Sequence, residues 1–82
     1  MRFLWRPAAR EQLRAIDKDS AIRVLEALTR YGRGESADIK RLHGEFEGQF
    51  RIRVGAYRAV FRFLDPSTIE VLRVAHRSEA YR

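Results

Sequence analysis

The stretch FRIRVGAYRAVFRFL, residues 50–64, decides the predicted fold. Apolar residues alternate with arginine on both sides of Gly55-Ala56, and this period of two is typical of strands that have one buried face. Glycine at the first central position is preferred in the two-residue type II′ turns that join hairpin strands. The stretch therefore predicts a β-hairpin whose strands cover Phe50–Val54 and residues 57–64.

Weaker strand signals lie on both sides of this hairpin. Downstream, Asp65-Pro66-Ser67-Thr68 predicts a turn, and residues 69–75 predict a third strand. Upstream, residues 39–42 form a further candidate strand, and residues 2–6 form a short one near the N-terminus. These segments predict an antiparallel meander preceded by an N-terminal strand.

Two helices are predicted between the N-terminal strand and the meander. Residues 8–16 place alanine, leucine and isoleucine at helical spacing after Pro7, whose missing N–H costs nothing in the first turn of a helix. A second helix follows a set of capping side chains, and in it Ile22, Leu25 and Leu28 form an apolar stripe. We expect this helical hairpin to cover one face of the sheet.

The composition limits the class of protein. Eighty-two residues, 45% of them hydrophobic, predict one domain over residues 1–82, too small to enclose a large cofactor cavity. The absence of cysteine excludes a disulfide framework, a thiolate nucleophile and a cysteine-based zinc site. No segment resembles a membrane span or a signal peptide. We predict an α+β fold of two layers with about four strands, in a cytoplasmic protein that uses no cofactor and no metal.

The charge balance indicates a polyanionic partner. Seventeen basic residues, fifteen of them arginine, outnumber eleven acidic ones and give a net charge of +6. Arginine binds phosphate in a planar, two-pronged manner, which favours a functional reason for its excess over lysine. A GC-rich codon usage would also enrich arginine, so the count alone leaves both explanations open.

The strand alternation assigns the arginines to one face of the sheet. A turn at Gly55-Ala56 puts Arg53 opposite Arg58, and a second turn at Pro66-Ser67 puts Phe61 opposite Leu72. The basic residues predicted on one face are Arg51, Arg53, Arg58, Arg62 and Arg73, with Arg77 just beyond the last strand. The other face is apolar and is expected to contact the helices.

The binding properties of this face depend on its carboxylates. On the same register Glu70 falls on the apolar face, so we expect no strand carboxylate beside the arginines. Arg53 directly opposite Arg58 is destabilising, because like charges repel across an antiparallel pair. Such a face is expected to bind an anion unless loops bring carboxylates to it. Ordinary solvated surface charge is the alternative.

Three motifs resemble those of the RelE/ParE toxin superfamily. They are Leu42-His43-Gly44, the Gly-x-Tyr-Arg hairpin at residues 55–58 and the His-Arg-x-x-x-Tyr ending at residues 76–81. Their order and spacing, together with the helical hairpin, extend the resemblance over nearly all of the chain. The resemblance implies a toxin of a toxin–antitoxin pair. RelE-type members are ribosome-dependent endoribonucleases, whereas ParE-type members act on DNA gyrase.

The resemblance also implies roles for individual residues. Arg51 and Arg53 occupy the paired basic strand positions of the family, and Arg58 matches the hairpin arginine that binds the scissile phosphate. Arg77 matches the arginine of the last motif, and Tyr81 matches the C-terminal aromatic residue that stacks on a base. Arginine stays protonated, so base catalysis is not expected from these positions.

Further candidate residues lie on and beside the predicted strands. We expect Lys40, Arg41, Arg62 and Arg73 to contact RNA. His76 is a further catalytic candidate, because histidine is suited to proton transfer near neutral pH, and its register pairs it with Tyr57 on the apolar side. An acid–base role and an orienting role both remain open for it.

We therefore expect an mRNA interferase of the RelE type that cleaves through attack by the 2′-OH, independently of metal. The alternatives are a gyrase inhibitor of the ParE type and an inactive module that binds an antitoxin and serves in repression. The expected partners are a cognate antitoxin, the ribosome and mRNA. Operator DNA is expected to be reached only through the antitoxin complex, and no membrane is involved.

Overall fold

A computed structural model describes residues 1–79, and within them the chain forms one mixed sheet and two helices. The strands are β1 (Arg2–Trp5), β2 (Ile39–Arg41), β3 (Phe50–Val54), β4 (Tyr57–Asp65) and β5 (Thr68–His76); the helices are α1 (Pro7–Ala15) and α2 (Lys18–Gly32), and a 3₁₀ turn covers Gly44–Phe46. The strand order is β1-β5-β4-β3-β2. The predicted α+β class is confirmed. The candidate strand at 39–42 pairs with β3, so these residues contain five strands rather than about four.

The N-terminal strand lies beside the last strand of the sheet. β1 runs parallel to β5 and pairs Phe3 with Ile69 and Trp5 with Val71. The backbone N–H of Arg6 continues this contact by donating to the Val71 carbonyl at 3.0 Å. The pairing brings the start of α1 next to the middle of β5.

The predicted hairpin register is confirmed. β3 and β4 pair Val54 with Tyr57 and Arg53 with Arg58, and the pairing continues to Phe50 and Phe61. Gly55 has a φ of 59° and Ala56 has no positive φ, as the predicted type II′ turn requires. An L-residue in place of Gly55 would be strained at this φ, which explains glycine at the turn.

The register between β4 and β5 is only partly as predicted, because each strand contains one extra residue. The turn at 66–67 forms as expected, but Leu64 is skipped on β4 and Leu72 is skipped on β5. Between these two irregularities Phe61 pairs with Val71 instead of Leu72, and beyond them the predicted register returns. The predicted core position of Leu72 was therefore wrong. The shift also moves Glu70 to the opposite face, directly across from Arg62.

Both helices pack on one face of the sheet and bury a single core. Its largest fully buried side chains include Phe61, Ile52 and Ile69 from the sheet and Val24 from α2. The α2 stripe differs from the predicted one. Val24 and Leu28 face the core with Ala27 and Tyr31, whereas Ile22 and Leu25 are 42% and 43% exposed.

Neither α-helix described is long and apolar enough to cross a membrane.

The start of α2 is fixed by a side-chain cap. Asp17 accepts a hydrogen bond from the backbone N–H of Ser20 at 3.0 Å. This bond satisfies a donor that has no partner within the helix and lowers the pKa of Asp17. The capping signal in the sequence therefore predicted the correct helix boundary.

Candidate nucleic-acid interface

The face of the sheet opposite the helices carries the predicted basic strand residues. Directly paired side chains share a face, so the pairing of Arg53 with Arg58 and of Val60 with both Arg51 and Arg73 places these arginines together. The arginine face consists of Arg51, Arg53, Arg58, Arg62 and Arg73, and Lys40 joins it opposite Arg51. The five strand arginines that were predicted to share one face of the sheet therefore do share it.

A loop carboxylate binds two of these arginines. Asp38, directly before β2, accepts a hydrogen bond at Oδ1 from Arg51 Nη1 at 3.0 Å, and its Oδ2 lies 2.6 Å from Arg53 Nε. Arg51 Nη1 also donates to the Asp38 carbonyl at 2.8 Å, and the Arg51 side chain is only 12% exposed. The hydrogen bond from Arg51, with the charges of both arginines, lowers the pKa of Asp38. Asp38 thus offsets the repulsion expected between Arg53 and Arg58.

Replacing Asp38 with asparagine should strengthen binding of a single-stranded RNA oligonucleotide. The change adds one net positive charge to the arginine face and releases Arg51 and Arg53 from a competing carboxylate. If one further phosphate is neutralised, the slope of log affinity against log salt should steepen by about 0.7. Fluorescence anisotropy over a salt series measures this slope, with Glu35→Gln, an exposed loop carboxylate, as the control for charge alone. Equal slopes in the two variants would show that Arg51 and Arg53 do not contact RNA.

Glu70 lies on the arginine face, so the expectation that no strand carboxylate reaches it was wrong. Its Oε1 lies 2.7 Å from Arg62 Nε, and its Oε2 lies 3.8 Å from Arg6 Nε. The irregularity at Leu72 causes this, because it turns Glu70 towards Arg62 while Val71 turns into the core. Glu70 therefore neutralises part of the positive charge on the side of the face next to β1.

Arg58 and Arg77 lie together at the hairpin end of the sheet. Arg58 Nη1 donates to the carbonyls of Gly55 and Tyr57 at 3.1 and 3.0 Å, which holds the side chain against the turn. The backbone N–H of Arg77 donates to the Ala56 carbonyl of the same turn at 2.7 Å. We call this region, with Arg58 and Arg77, the hairpin corner. Arg58 and Arg77 are distant in the sequence, but both are hydrogen-bonded to the turn between β3 and β4.

Arg73 lies beside a cavity on the arginine face. Its guanidinium carbon is 4.7 Å from the centroid of the Phe46 ring in the 3₁₀ turn. Its Nε and Nη2 atoms are buried and have no hydrogen-bond partner within residues 1–79. The cavity has a volume of about 300 Å³ and is lined by Arg6, Glu45, Phe46, Gln49, Arg62, Leu72 and Arg73. Buried donors without partners cost free energy, so the burial of Nε and Nη2 of Arg73 requires a structural or functional reason.

Two of the predicted site residues that the structure describes do not join the arginine face. His76 pairs with Tyr57 as predicted, and their rings meet edge to face at 5.7 Å on the helix side of the sheet. Arg41 pairs with Phe50, and its guanidinium carbon lies 5.9 Å from the centroid of that ring, again on the helix side. Tyr81 lies outside the described residues.

The sequence analysis did not identify three residues that shape this interface. Asp38 was detectable as the acid directly before the strand that pairs with β3. Arg6 and Phe46 reach the interface only through the β1–β5 pairing and the fold of the loop, which no short sequence pattern indicates. Within residues 1–79, no three histidine, aspartate or glutamate side chains cluster in a way that could hold a metal ion.

Comparisons with known proteins agree with this architecture. Residues 3–81 match the family model described as ParE toxin of type II toxin-antitoxin system, parDE. The chain is similar to the toxin–antitoxin complex RelBE2 from Mycobacterium tuberculosis, with 27% identity over 93% of this chain and 96% of that chain and a TM-score of 0.73. It is also similar to the RelB–RelE antitoxin–toxin complex from Methanococcus jannaschii, with 26% identity over 95% and 94% and a TM-score of 0.76.

A third likeness concerns the fold alone. YafQ from E. coli strain BL21(DE3) is 9% identical, with all of both chains covered and a TM-score of 0.80. No curated protein matches the sequence.

Proposed function

The chain belongs to the ParE toxin family of type II toxin–antitoxin systems, and we propose that this toxin is a ribosome-dependent endoribonuclease that cuts mRNA. The observation that carries the proposal is the hairpin corner, where Arg58 and Arg77 are tied to one turn. Arg53 lies directly opposite Arg58, with Arg51 on the same strand. Cations held in fixed positions suit a phosphate whose negative charge grows during the reaction.

The proposed reaction is an internal transfer at phosphorus without a metal ion. The 2′-oxygen attacks the adjacent phosphorus and gives up its proton to a base, the P–O5′ bond breaks, and the 5′-oxygen takes up a proton. The products are a 2′,3′-cyclic phosphate and a 5′-hydroxyl. Arg58 and Arg77 donate hydrogen bonds to the non-bridging oxygens and stabilise the pentacoordinate state. Arg51 and Arg53 hold the same phosphate and its neighbour.

His76 acts in this proposal as a positioning residue. Its ring contacts Tyr57, and its Nδ1 lies 3.0 Å from the hydroxyl oxygen of Ser78. These contacts set the direction in which the chain leaves β5 and therefore where Arg77 lies. Tyr81 is proposed to stack on a base of the mRNA, a contact worth about 1–3 kcal/mol.

The remaining cations of the arginine face are proposed to contact RNA, Lys40 and Arg62 through its backbone and Arg73 through the cavity beside it. Lys40 lies on β2, Arg62 on β4 and Arg73 on β5, so these cations cross the face from one side of the sheet to the other. Arg41 lies on the helix side, away from these cations, and is left out of the proposed RNA path.

The deciding experiment compares two targets of the purified toxin. Ribosomes programmed with an mRNA of known sequence are incubated with the toxin and the new 5′ ends are mapped, while a parallel reaction measures supercoiling by DNA gyrase. We expect cuts in mRNA on the ribosome and unchanged supercoiling. The description of the matching family as ParE favours the second candidate, gyrase inhibition. Loss of supercoiling with intact mRNA would establish that candidate and overturn the ribonuclease.

An antitoxin is the partner proposed for the outer side of α2, and operator DNA is reached only through that complex. The two similar structures above 25% identity are complexes of a toxin with its antitoxin. Ile22 and Leu25 are large apolar side chains that α2 leaves 42% and 43% exposed. An amphipathic helix of the antitoxin would bury them in the usual helix-to-surface manner. Such a pair works in the cytoplasm, where the ribosome is.

Replacing Ile22 and Leu25 with glutamine should weaken antitoxin binding by at least about tenfold, because truncating apolar anchors of an interface costs more than 1 kcal/mol each. The antitoxin is taken as the small protein encoded beside the toxin, and titration calorimetry measures its affinity. The matched control replaces Leu4 and Leu64, which are 42% and 45% exposed on other surfaces, with glutamine. If the control weakens binding as much as the α2 variant does, the antitoxin does not dock on α2.

A further inference from the structure

The cavity beside Arg73 is not used by the proposed reaction. Its main feature is a pair of hydrogen-bond donors on Arg73 that have no acceptor within residues 1–79. Arg73 Nε and Nη2 lie on the same edge of the guanidinium group, so their N–H bonds point in parallel. Both atoms are buried and have no partner within residues 1–79. A ligand with two adjacent acceptors would satisfy both, and the free energy lost by burying them would be recovered.

The other side chains of the cavity limit the charge of such a ligand. Arg62 and Arg6 already face the carboxylate of Glu70, at 2.7 and 3.8 Å. The carboxylate that lines the cavity itself is Glu45, which accepts hydrogen bonds and repels anions. The lining is positive overall, since Arg6, Arg62 and Arg73 share it with Glu45, but a phosphate bound to Arg73 would leave Glu45 facing a like charge and without a donor. A neutral molecule with acceptors on one edge and donors on another fits both Arg73 and Glu45.

We propose that this cavity binds a guanine base of RNA, an inference that rests on the proposed function. Guanine N7 and O6 are adjacent acceptors, and their bidentate contact with arginine is the commonest specific contact of this kind. Its N1–H and N2–H groups then face the carboxylate of Glu45, and its plane lies beside Phe46. Adenine has a donor where guanine has O6, so it would oppose Arg73.

The position of the cavity agrees with a base whose phosphate lies at the hairpin corner. Arg58 pairs with Ala75, and Arg73 pairs with Val60, so the two arginines are diagonal neighbours on one face. Such neighbours are about 7–8 Å apart, within the reach of one nucleotide. Entry of the base requires the Gly44–Phe46 turn to move outwards, since this turn carries the ring that lies over Arg73.

The first test measures binding of mononucleotides to the purified toxin by NMR. The four 5′-monophosphates of guanosine, adenosine, cytidine and uridine are titrated while amide and arginine Nε–H signals are followed. We expect guanosine monophosphate to shift the signals of Phe46, Gln49 and Arg73 and to bind at least about tenfold more tightly than the adenosine nucleotide. Equal affinities for all four would assign the contact to the phosphate, and no shift at Arg73 would mean that water alone fills the site. Either result would overturn the proposal.

Three variants make the test specific. Arg73→Lys keeps the charge but loses the parallel donor pair, so the guanosine preference should disappear. Glu45→Gln lies in an exposed loop and leaves the fold intact, and it should lower guanosine affinity without affecting the adenosine nucleotide. Arg23→Lys on the exposed side of α2 should change neither. If an acidic peptide binds Arg73 and displaces no guanosine nucleotide, the donors serve a carboxylate and the guanine site is refuted.

The mRNA assay separates this inference from the proposed function. If the toxin cuts mRNA on ribosomes, Arg73→Lys should abolish any enrichment of guanosine next to the cut. Cuts whose sequence distribution is the same in wild type and Arg73→Lys would overturn the guanine site and leave the ribonuclease intact. Selective guanosine binding by a toxin that cuts no mRNA would support the site and refute the proposed function.

Discussion

Replacing Arg58 and Arg77 together with alanine should reduce ribosome-dependent cleavage of mRNA by at least about a hundredfold. A single donor aimed at developing charge commonly contributes a factor of about 10² to 10³, and this change removes two. Both residues are anchored to the same hairpin turn, and the proposed function assigns them to the same phosphate. The measurement is the single-turnover rate of cleavage on programmed ribosomes at saturating toxin.

The matched control removes the same charge from another surface. Arg10 and Arg14 are exposed on α1, and alanine at both positions lowers the net charge equally without touching the sheet. Thermal unfolding checks that the hairpin turn survives the loss of the bonds from Arg58. If the corner variant cuts as fast as the α1 control, the site has been assigned to the wrong part of the molecule.

The hairpin of β3 and β4 was predictable to the residue because two independent signals agree there. Glycine at position 55 fixes the turn, and strict alternation on both sides fixes the faces. A register slip by one residue would turn arginines into the core. The sequence therefore permits one pairing, and the arginine face follows from it.

The pairing of β4 with β5 was less predictable because the two extra residues cancel. Leu64 shifts the register by one residue and Leu72 shifts it back, so both ends of the strand pair agree with a simple turn at 66–67. The sequence contains one indication of this. Buried positions Ile69 and Val71 are odd-numbered, whereas Val74 is even-numbered, and such a change of parity within a strand indicates a bulge.

The alternation of the strands also did not show which carboxylates bind the arginines. Asp38 lies in a loop and becomes a partner only because β2 pairs with β3, which brings it to Arg51 and Arg53. Glu70 becomes a partner only because of the bulge. Periodicity assigns a residue to a face, but it does not specify which loop or neighbouring strand supplies the opposite charge.

The positions of these two carboxylates also bear on the arginine-rich composition. Codon usage can raise the number of arginines, but it does not distribute them over the faces of a sheet. Here Asp38 binds Arg51 and Arg53 of the arginine face, and Glu70 binds Arg62 of that face together with Arg6, which follows β1. These carboxylates neutralise part of the charge that the sequence analysis left unbalanced, so it is the placement of five arginines on one face, and not a lack of partners, that favours a functional reason for the excess.

Replacing Phe61 with alanine should remove a large part of the free energy of unfolding of the domain. Phe61 is fully buried, and its ring lies 5.7 Å from those of Tyr31 and Phe50. Removing a buried phenylalanine side chain costs about 3–5 kcal/mol. At about 0.05–0.15 kcal/mol per residue, a domain of this size has a total stability of roughly 4–12 kcal/mol. The loss is therefore a large part of the total, and urea denaturation should show a much lower midpoint.

Phe63 provides the matched control on the same strand and the same face. Its ring contacts Phe50 and Phe61 edge to face, but the residue is 38% exposed beyond the part of the sheet that the helices cover. Phe63→Ala removes the same atoms with less burial, so its cost should be well below that of Phe61→Ala. Equal losses of stability would mean that the end of the β4–β5 hairpin is as tightly packed as its middle. The position of the core derived from the register would then be wrong, and with it the placement of the arginine face above that core.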